Sequence, residues 1–467
     1  MTSSSDPAPA RAGELRAFDI GCVVVGGIIG VGIFFTPARV AAALDTGGQV
    51  ILAWSLGGVL AVLGAFVFAE FATLVPGHGG TFRYLHAAFG ALPAFLYGWA
   101  NWLVIQAGAL GVVGLVLVDN LEVVLGGAPF APAAKVWLAA ALMLAFTLTN
   151  VLGLRTGKRV QNALTVLKVA ALLVLVSLAF VAPAGATAPS TPTVPADSAP
   201  ATAPHGGLLA MLAAAMLPVL FAIGGWQQGS FLAGAAARPR RDVPLGILGG
   251  VAVVIVAYLT VNLAYLSLLG FDGASHSARI GADAAQVALG ESGGRVLAAM
   301  IVVSAAGIMN TICMAPPYVL YAMAQQGLFP RAFGRLHARL RTPVAGVLSQ
   351  GLWAIVLLLL VNFVFARGNT LKTLEFVCDG VVFADWLFFA LCGAALLRLR
   401  GTRTDALRLP GGALAALLFT IAAVAVTAGA VWQQPSASLT GLVLVLAGAP
   451  FGVLLRRRTG LATVTAP

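Results

Sequence analysis

The chain has 467 residues, of which 60% are hydrophobic and only 9% charged; its formal net charge is +11 and its mean hydropathy +0.97. A soluble globular protein is nearer half apolar and a quarter charged, so that class is excluded. Repeated apolar runs of about 20 residues are the signature of bilayer spans, and the excess of positive charge then reads as membrane topology rather than nucleic-acid binding.

The first twenty residues, MTSSSDPAPARAGELRAFDI, are polar. The apolar run behind them is longer than a signal-peptide core and has no cleavage site, so the first span is expected to stay in the mature chain. Twelve spans follow in order, near 20–44, 49–75, 91–118, 134–153, 160–182, 207–235, 245–269, 293–325, 343–366, 371–396, 411–432 and 438–455. With the N-terminus placed in the cytoplasm, the inside segments hold 20 of the 27 basic residues. Outside segments hold Arg39, Lys135, Arg279, Arg295, Arg367 and Lys372, and Lys168 lies within a span. This positive-inside bias predicts a multi-pass protein of the inner (cytoplasmic) membrane with both termini cytoplasmic. Cys22, Cys313, Cys378 and Cys392 lie in or beside apolar segments, without metal-ligand spacing.

The layout expected is a cytoplasmic tail (1–19), a first set of five spans (20–182), a flexible external loop (183–206), a second set of five (207–396), and two last spans with a cytoplasmic C-terminus (397–467). The external loop is expected from APAGATAPSTPTVPADSAPATAP, which is rich in Pro, Ala, Ser and Thr and has little to bury.

Two spans in corresponding places are dense in glycine: GGIIGVGIFF at 26–35 in the first and FAIGGWQQGSFLAGAAARP at 221–239 in the sixth. Tight helix packing is one use of such residues, with Gly26 and Gly30 on a contact face. The matched positions in two sets of five spans favour another, a pair of interrupted helices around a central site. An interruption at mid-membrane exposes backbone N–H and C=O groups that need partners. A half-helix N-terminus attracts a carboxylate, and free carbonyls attract an ammonium.

These segments, together with AEFATLVPGHGGTFRYLHAAFG, GLRTGKRVQNALTVLKVAALLVLV, ARPRRDVPLGI, MNTICMAPPYVLYAMAQQGLFPRAF and RTPVAGVL, resemble the amino acid–polyamine–organocation transporters. The resemblance is closest to the bacterial branch related to L-type amino acid transporters and covers nearly the whole chain in order. It implies an all-α membrane protein of twelve helices, with a five-plus-five inverted repeat and discontinuous helices 1 and 6. It further implies that backbone at Ile29, Gly30, Val31 and Gly32 holds a substrate carboxylate, and that backbone at Phe221, Ala222, Ile223 and Gly224 holds the α-ammonium. Trp226 would shape the side-chain compartment or the packing. The chain departs from relatives in the neutral stretch after Trp226, in Tyr318 where many carry arginine, and in Gln325 and Gln326 where a basic residue is common.

Ionisable groups inside spans usually mark function. Lys168 is expected near the first broken helix, either as a fixed cation bracing the bundle or as a proton-binding group. Glu70, late in the second span, is expected to pair with cytoplasmic basic groups as part of a gate. Asp379 is a candidate for a polar network or proton site, and Asp385 for a buried hydrogen-bonding group. Asn101, Gln106 and Asn310 suit helix contacts as well as ligand binding. No nucleotide-binding or metal-cluster motif occurs in the sequence, and no catalytic set stands out, so neither an enzyme nor a cofactor is expected.

The function this supports is secondary active permeation of amino acids by alternating access, with neutral L-amino acids favoured by the neutral sixth-span tail. Proton coupling, exchange and uniport remain open, as do a polyamine or organic amine cargo and a non-transporting amino acid sensor. Membrane lipids are the expected surroundings; neither nucleic acid nor an accessory protein is required.

Overall fold

The computed structural model describes residues 13–181, 207–277, 279–365, 370–401 and 408–459. The Pro-rich segment expected as an external loop lies outside them. So does the side chain of Asp379, whose backbone belongs to a helix.

Regular structure among the described residues is helical, apart from one isolated bridge between Leu15 and Ala236. In chain order the helices are α1 (Ala17–Ile28), α2 (Thr36–Ala42), α3 (Gly47–Leu74), α4 (Thr81–Phe89), α5 (Ala91–Ala100), α6 (Gln106–Leu125), α7 (Pro132–Val151), α8 (Leu154–Val181), α9 (Leu208–Ile223) and α10 (Gln228–Phe231). They continue with α11 (Pro239–Ser275), α12 (Ile280–Leu289), α13 (Gly293–Met314), α14 (Pro317–Gln325), α15 (Val344–Leu360), α16 (Thr370–Leu399), α17 (Gly412–Gln433), α18 (Pro435–Leu446) and α19 (Ala449–Thr459).

Ten helical stretches among the described residues are long and apolar enough to cross a membrane. Helices are favoured there because each satisfies its backbone internally, which hydrocarbon demands. The 28 residues of α3 extend about 42 Å at 1.5 Å per residue, more than a bilayer core, so this helix must tilt or enter the interface. Large apolar side chains face outward along the bundle, Leu209 and Trp432 most fully, as lipid allows.

The glycine-dense spans are interrupted. The first splits into α1 and α2, and the sixth into α9 and α10. The halves pack crosswise, with α2 against α9 and α1 against α10. The buried apolar side chains form two cores. One gathers residues of α1, α3, α4, α9, α11 and α16. The other joins α6, α7, α13 and α15 and takes in Val31 from the first interruption.

Candidate functional site

The first interruption begins where Ile29 turns extended (φ −68°, ψ 96°). A single 3-10 turn, Gly32–Phe34, follows before α2. Among the described residues, the N–H groups of Gly30, Val31 and Gly32 donate to no backbone carbonyl. At the sixth interruption Gly224 is extended and Gly225 takes φ +132°. No side chain would fit at Gly225: a Cβ there would lie 2.7 Å from the carbonyl oxygen of Gly27. Glycine thus permits both the backbone angle and the contact between the two broken helices. Beyond Gly224, the backbone N–H groups of Gly225 and Trp226 likewise donate to no backbone carbonyl, which frees the carbonyls of Phe221 and Ala222 from their usual helical partners.

Between these breaks lies a cavity of about 170 Å³. A 150 Å³ cavity suffices for benzene, so the space is of small-solute size. Its wall includes Gly30, Val31 and Gly32 of the first break and Phe221, Ala222 and Gly224 of the sixth. It also includes Gln106 and Val113 of α6, Ile312 of α13 and Asp385 of α16. The cavity therefore runs along the seam between the two cores.

A polar relay crosses that seam. Gln228 Nε2 donates to Gln106 Oε1 at 3.4 Å, and Gln106 Nε2 donates to Asn101 Oδ1 at 3.1 Å. Residues five apart lie about 140° apart on an α-helix. Here Asn101–Ile105 forms a π-turn between α5 and α6, which widens the turn and brings Asn101 and Gln106 to one face.

Lys168 of α8 is 2% exposed. Its Nζ donates to the carbonyls of Ile29 (2.7 Å), Ser304 (3.2 Å) and Gly26 (3.3 Å). Ser304 Oγ also donates to the Ile29 carbonyl, at 3.1 Å. An ammonium thus replaces the helical partners that α1 loses where it ends, and it joins α1 to α8 and α13. The Tyr258 hydroxyl of α11 lies 3.0 Å from the Ile28 carbonyl and 3.1 Å from that of Ala222. One hydroxyl therefore touches both broken helices.

The end of the bundle that carries Glu14 is tied together by hydrogen bonds and ion pairs. Leu15 and Ala236 form a short parallel bridge, with Ala237 N–H donating to Leu15 O at 2.7 Å. Glu14 Oε1 lies 3.1 Å from Arg155 Nε and 3.7 Å from Arg341 Nε. Lys158 Nζ donates to Glu14 O at 2.7 Å and to Asp19 Oδ2 at 3.2 Å. Tyr318, which is buried, donates its hydroxyl to Arg341 O at 2.8 Å and stacks on His78 with centroids 4.6 Å apart. His78 lies in the loop between α3 and α4. Burial, helped by the nearby charge of Arg83, lowers its pKa from 6.5 to about 4.

The expected site residues therefore divide. Gly30, Val31, Gly32, Phe221, Ala222 and Gly224 line the cavity. Ile29 instead turns its carbonyl to Lys168 and Ser304, and Ile223 is buried outside the cavity wall. Trp226 is fully buried and packs against Trp386, Phe389 and Phe419 at 6.2, 5.3 and 6.2 Å between centroids. It props the wall from behind. Glu70 pairs with Arg400 Nε at 2.8 Å and accepts from Leu409 N–H at 3.3 Å, tying α3 to the segment after α16. Sequence reasoning did not single out Tyr258, Ser304, Gln228, Glu14 or Asp19 for these roles. In the sequence each is one polar residue in or beside an apolar run, and only packing joins it to a broken helix.

A sequence profile described as amino acid permease matches residues 15–449. The chain is 27% identical over 391 residues to the b(0,+)-type amino acid transporter 1 of Mus musculus, covering 82% of this chain and 75% of the relative. It is 29% identical over 347 residues to the serine/threonine exchanger SteT of Bacillus subtilis (73% and 75%). To the human cystine/glutamate transporter it is 26% identical over 435 residues (92% and 82%). With a profile match across nearly its whole length and interrupted helices walling a central cavity, the chain belongs to the amino acid permease family, within the amino acid–polyamine–organocation superfamily of membrane transporters, and is not an enzyme.

Proposed function

We propose that the chain moves α-amino acids across the inner membrane by alternating access around the cavity between the broken helices. The observation that carries this is the cavity's position: it lies on the seam between two separate apolar cores and is walled by backbone that no helix satisfies. A substrate there supplies the missing partners. Its carboxylate takes the N–H groups of Val31 and Gly32, beside that of Gly30, which meets the Tyr258 hydroxyl, and its α-ammonium takes carbonyls near Phe221, Ala222 and Gly224. Rocking one core against the other then exposes the cavity to each side in turn.

In this reading the twelve spans form a five-plus-five inverted repeat, 20–182 against 207–396, with both termini cytoplasmic. The ion pairs of Glu14 form the closed cytoplasmic gate. Lys168 acts as a fixed cation, because three backbone carbonyls already receive it. The neutral sixth-helix tail by itself favours neutral L-amino acids, but α16 adds a carboxylate to the same wall and changes the side chain that wall accommodates. No accessory protein is needed for the cycle.

The test is uptake of labelled amino acids into liposomes holding the purified protein, empty or preloaded, with or without a proton gradient. Uptake that depends on preloading assigns exchange, and gradient-stimulated uptake into empty vesicles assigns proton symport. Binding without uptake would replace transport by a sensor. Uptake of amines in preference to any amino acid would remove the role given to the substrate carboxylate.

A further inference from the structure

The cavity wall is rich in hydrogen-bond acceptors beyond those the α-amino and α-carboxyl groups use. Gln228 is 6% exposed, and its amide nitrogen is committed to Gln106. Its Oε1 has no partner among the described residues, and neither has Oε1 of Gln227, which is 4% exposed. Both residues line the cavity, as does Asp385 of α16. No basic side chain forms an ion pair with Asp385 among the described residues. Lys168, the cation buried nearby, is spent on three carbonyls. Two amide oxygens and a carboxylate therefore share one desolvated space with no built-in donor of positive charge. Burying a carboxylate without a cation is costly, and unmet acceptors in the same wall add to that cost.

We propose that these three groups form a second subsite for the far end of the substrate's side chain, which takes an ammonium or guanidinium group with Asp385 as its counter-ion. This rests on the transport reading above and replaces its neutral side-chain class by a cationic one. The expectation of a neutral substrate came from the sixth helix alone; the carboxylate comes from the tenth expected span, which the fold brings to the same cavity. The rest of the wall, with Val113, Ile312 and Phe221, suits the methylene stem of such a side chain.

Arginine and citrulline test this directly, because they share length and shape and differ in charge. Competition for uptake of labelled substrate would be measured in liposomes for the native chain, Asp385→Asn and Gln228→Met. Folding of each variant is checked by size-exclusion elution and thermal unfolding in detergent. The native chain is expected to prefer arginine by at least about tenfold, the scale of a hydrogen bond to a charged group. Asp385→Asn should bring the two to parity while citrulline uptake persists. Gln228→Met should reduce the preference in part, which keeps the test decisive if Asp385→Asn fails to fold. Citrulline equal to or better than arginine in the native chain would overturn the subsite and leave the transport reading standing. An unchanged ratio in both variants would do the same. Folded native protein that neither binds nor moves any amino acid would overturn both.

Discussion

Two charged side chains lie within the helical bundle close to the breaks, and the fold treats them in opposite ways. Lys168 is surrounded by acceptors the protein itself provides: three carbonyls from α13 and the end of α1. Asp385 faces a cavity and has no cation from the described residues. A buried charge that is fully received serves the architecture, because nothing from outside can improve its surroundings. A charge left facing a cavity is provided for only when something enters. The contrast separates the brace of this permease from the part of its wall proposed to read substrate.

The comparison is broken most forcefully at the brace. Lys168→Ala would take the ammonium from the Ile29, Ser304 and Gly26 carbonyls in a dry interior, leaving Ile29 the Ser304 hydroxyl, at roughly 1.5–3 kcal/mol for each hydrogen bond to a charged group that is lost. We expect a large fall in thermal stability and loss of transport for every substrate alike. A selective loss for one side-chain class would instead place Lys168 in the reading wall. Next in size, Gly225→Ala puts a Cβ against the Gly27 carbonyl at a φ of +132°. Strain of about 1–3 kcal/mol from the angle alone, with the clash added, should abolish uptake and lower the unfolding temperature.

A smaller effect sharpens the distinction. Tyr258→Phe removes the hydroxyl shared by Ile28 and Ala222, a change of about 1–3 kcal/mol. Uptake should fall about tenfold with the arginine-to-citrulline ratio unchanged, since the hydroxyl joins the breaks and does not read the side chain. An effect that vanishes at neutral pH is expected at His78. Its folded pKa of about 4 lies below the ordinary 6.5, so the unfolded chain binds the extra proton between those values. Stability is then flat above about pH 6.5 and declines as pH falls toward 4, by on the order of 2–3 kcal/mol. Thermal unfolding measured from pH 4 to 8 should show this slope in the native chain and a shallower one in His78→Gln.

What the sequence determined by itself follows from local chemistry. Apolar runs of bilayer length specify helices wherever they fall, and the placement of arginine gives an expected orientation. Glycine at Gly30, Gly32, Gly224 and Gly225 announces interruption, because backbone freedom is a property of the residue and needs no neighbour. Lys168 and Glu70 were visible for a similar reason, since a charge in an apolar run stands out unaided. Tertiary structure alone decided which groups meet. Ile29 was expected at the substrate and turns to Lys168; for Trp226 the resemblance left the side-chain compartment or the packing open, and it packs behind the wall. Tyr258, Ser304 and Gln228 gained their parts because helices far apart in the chain place them against exposed backbone. The partner of a polar atom is set by packing over long sequence separations, and no local pattern records it. For the same reason the charge character of the cavity could not be read from the sixth helix: its carboxylate arrives on α16, more than 150 residues later in the chain.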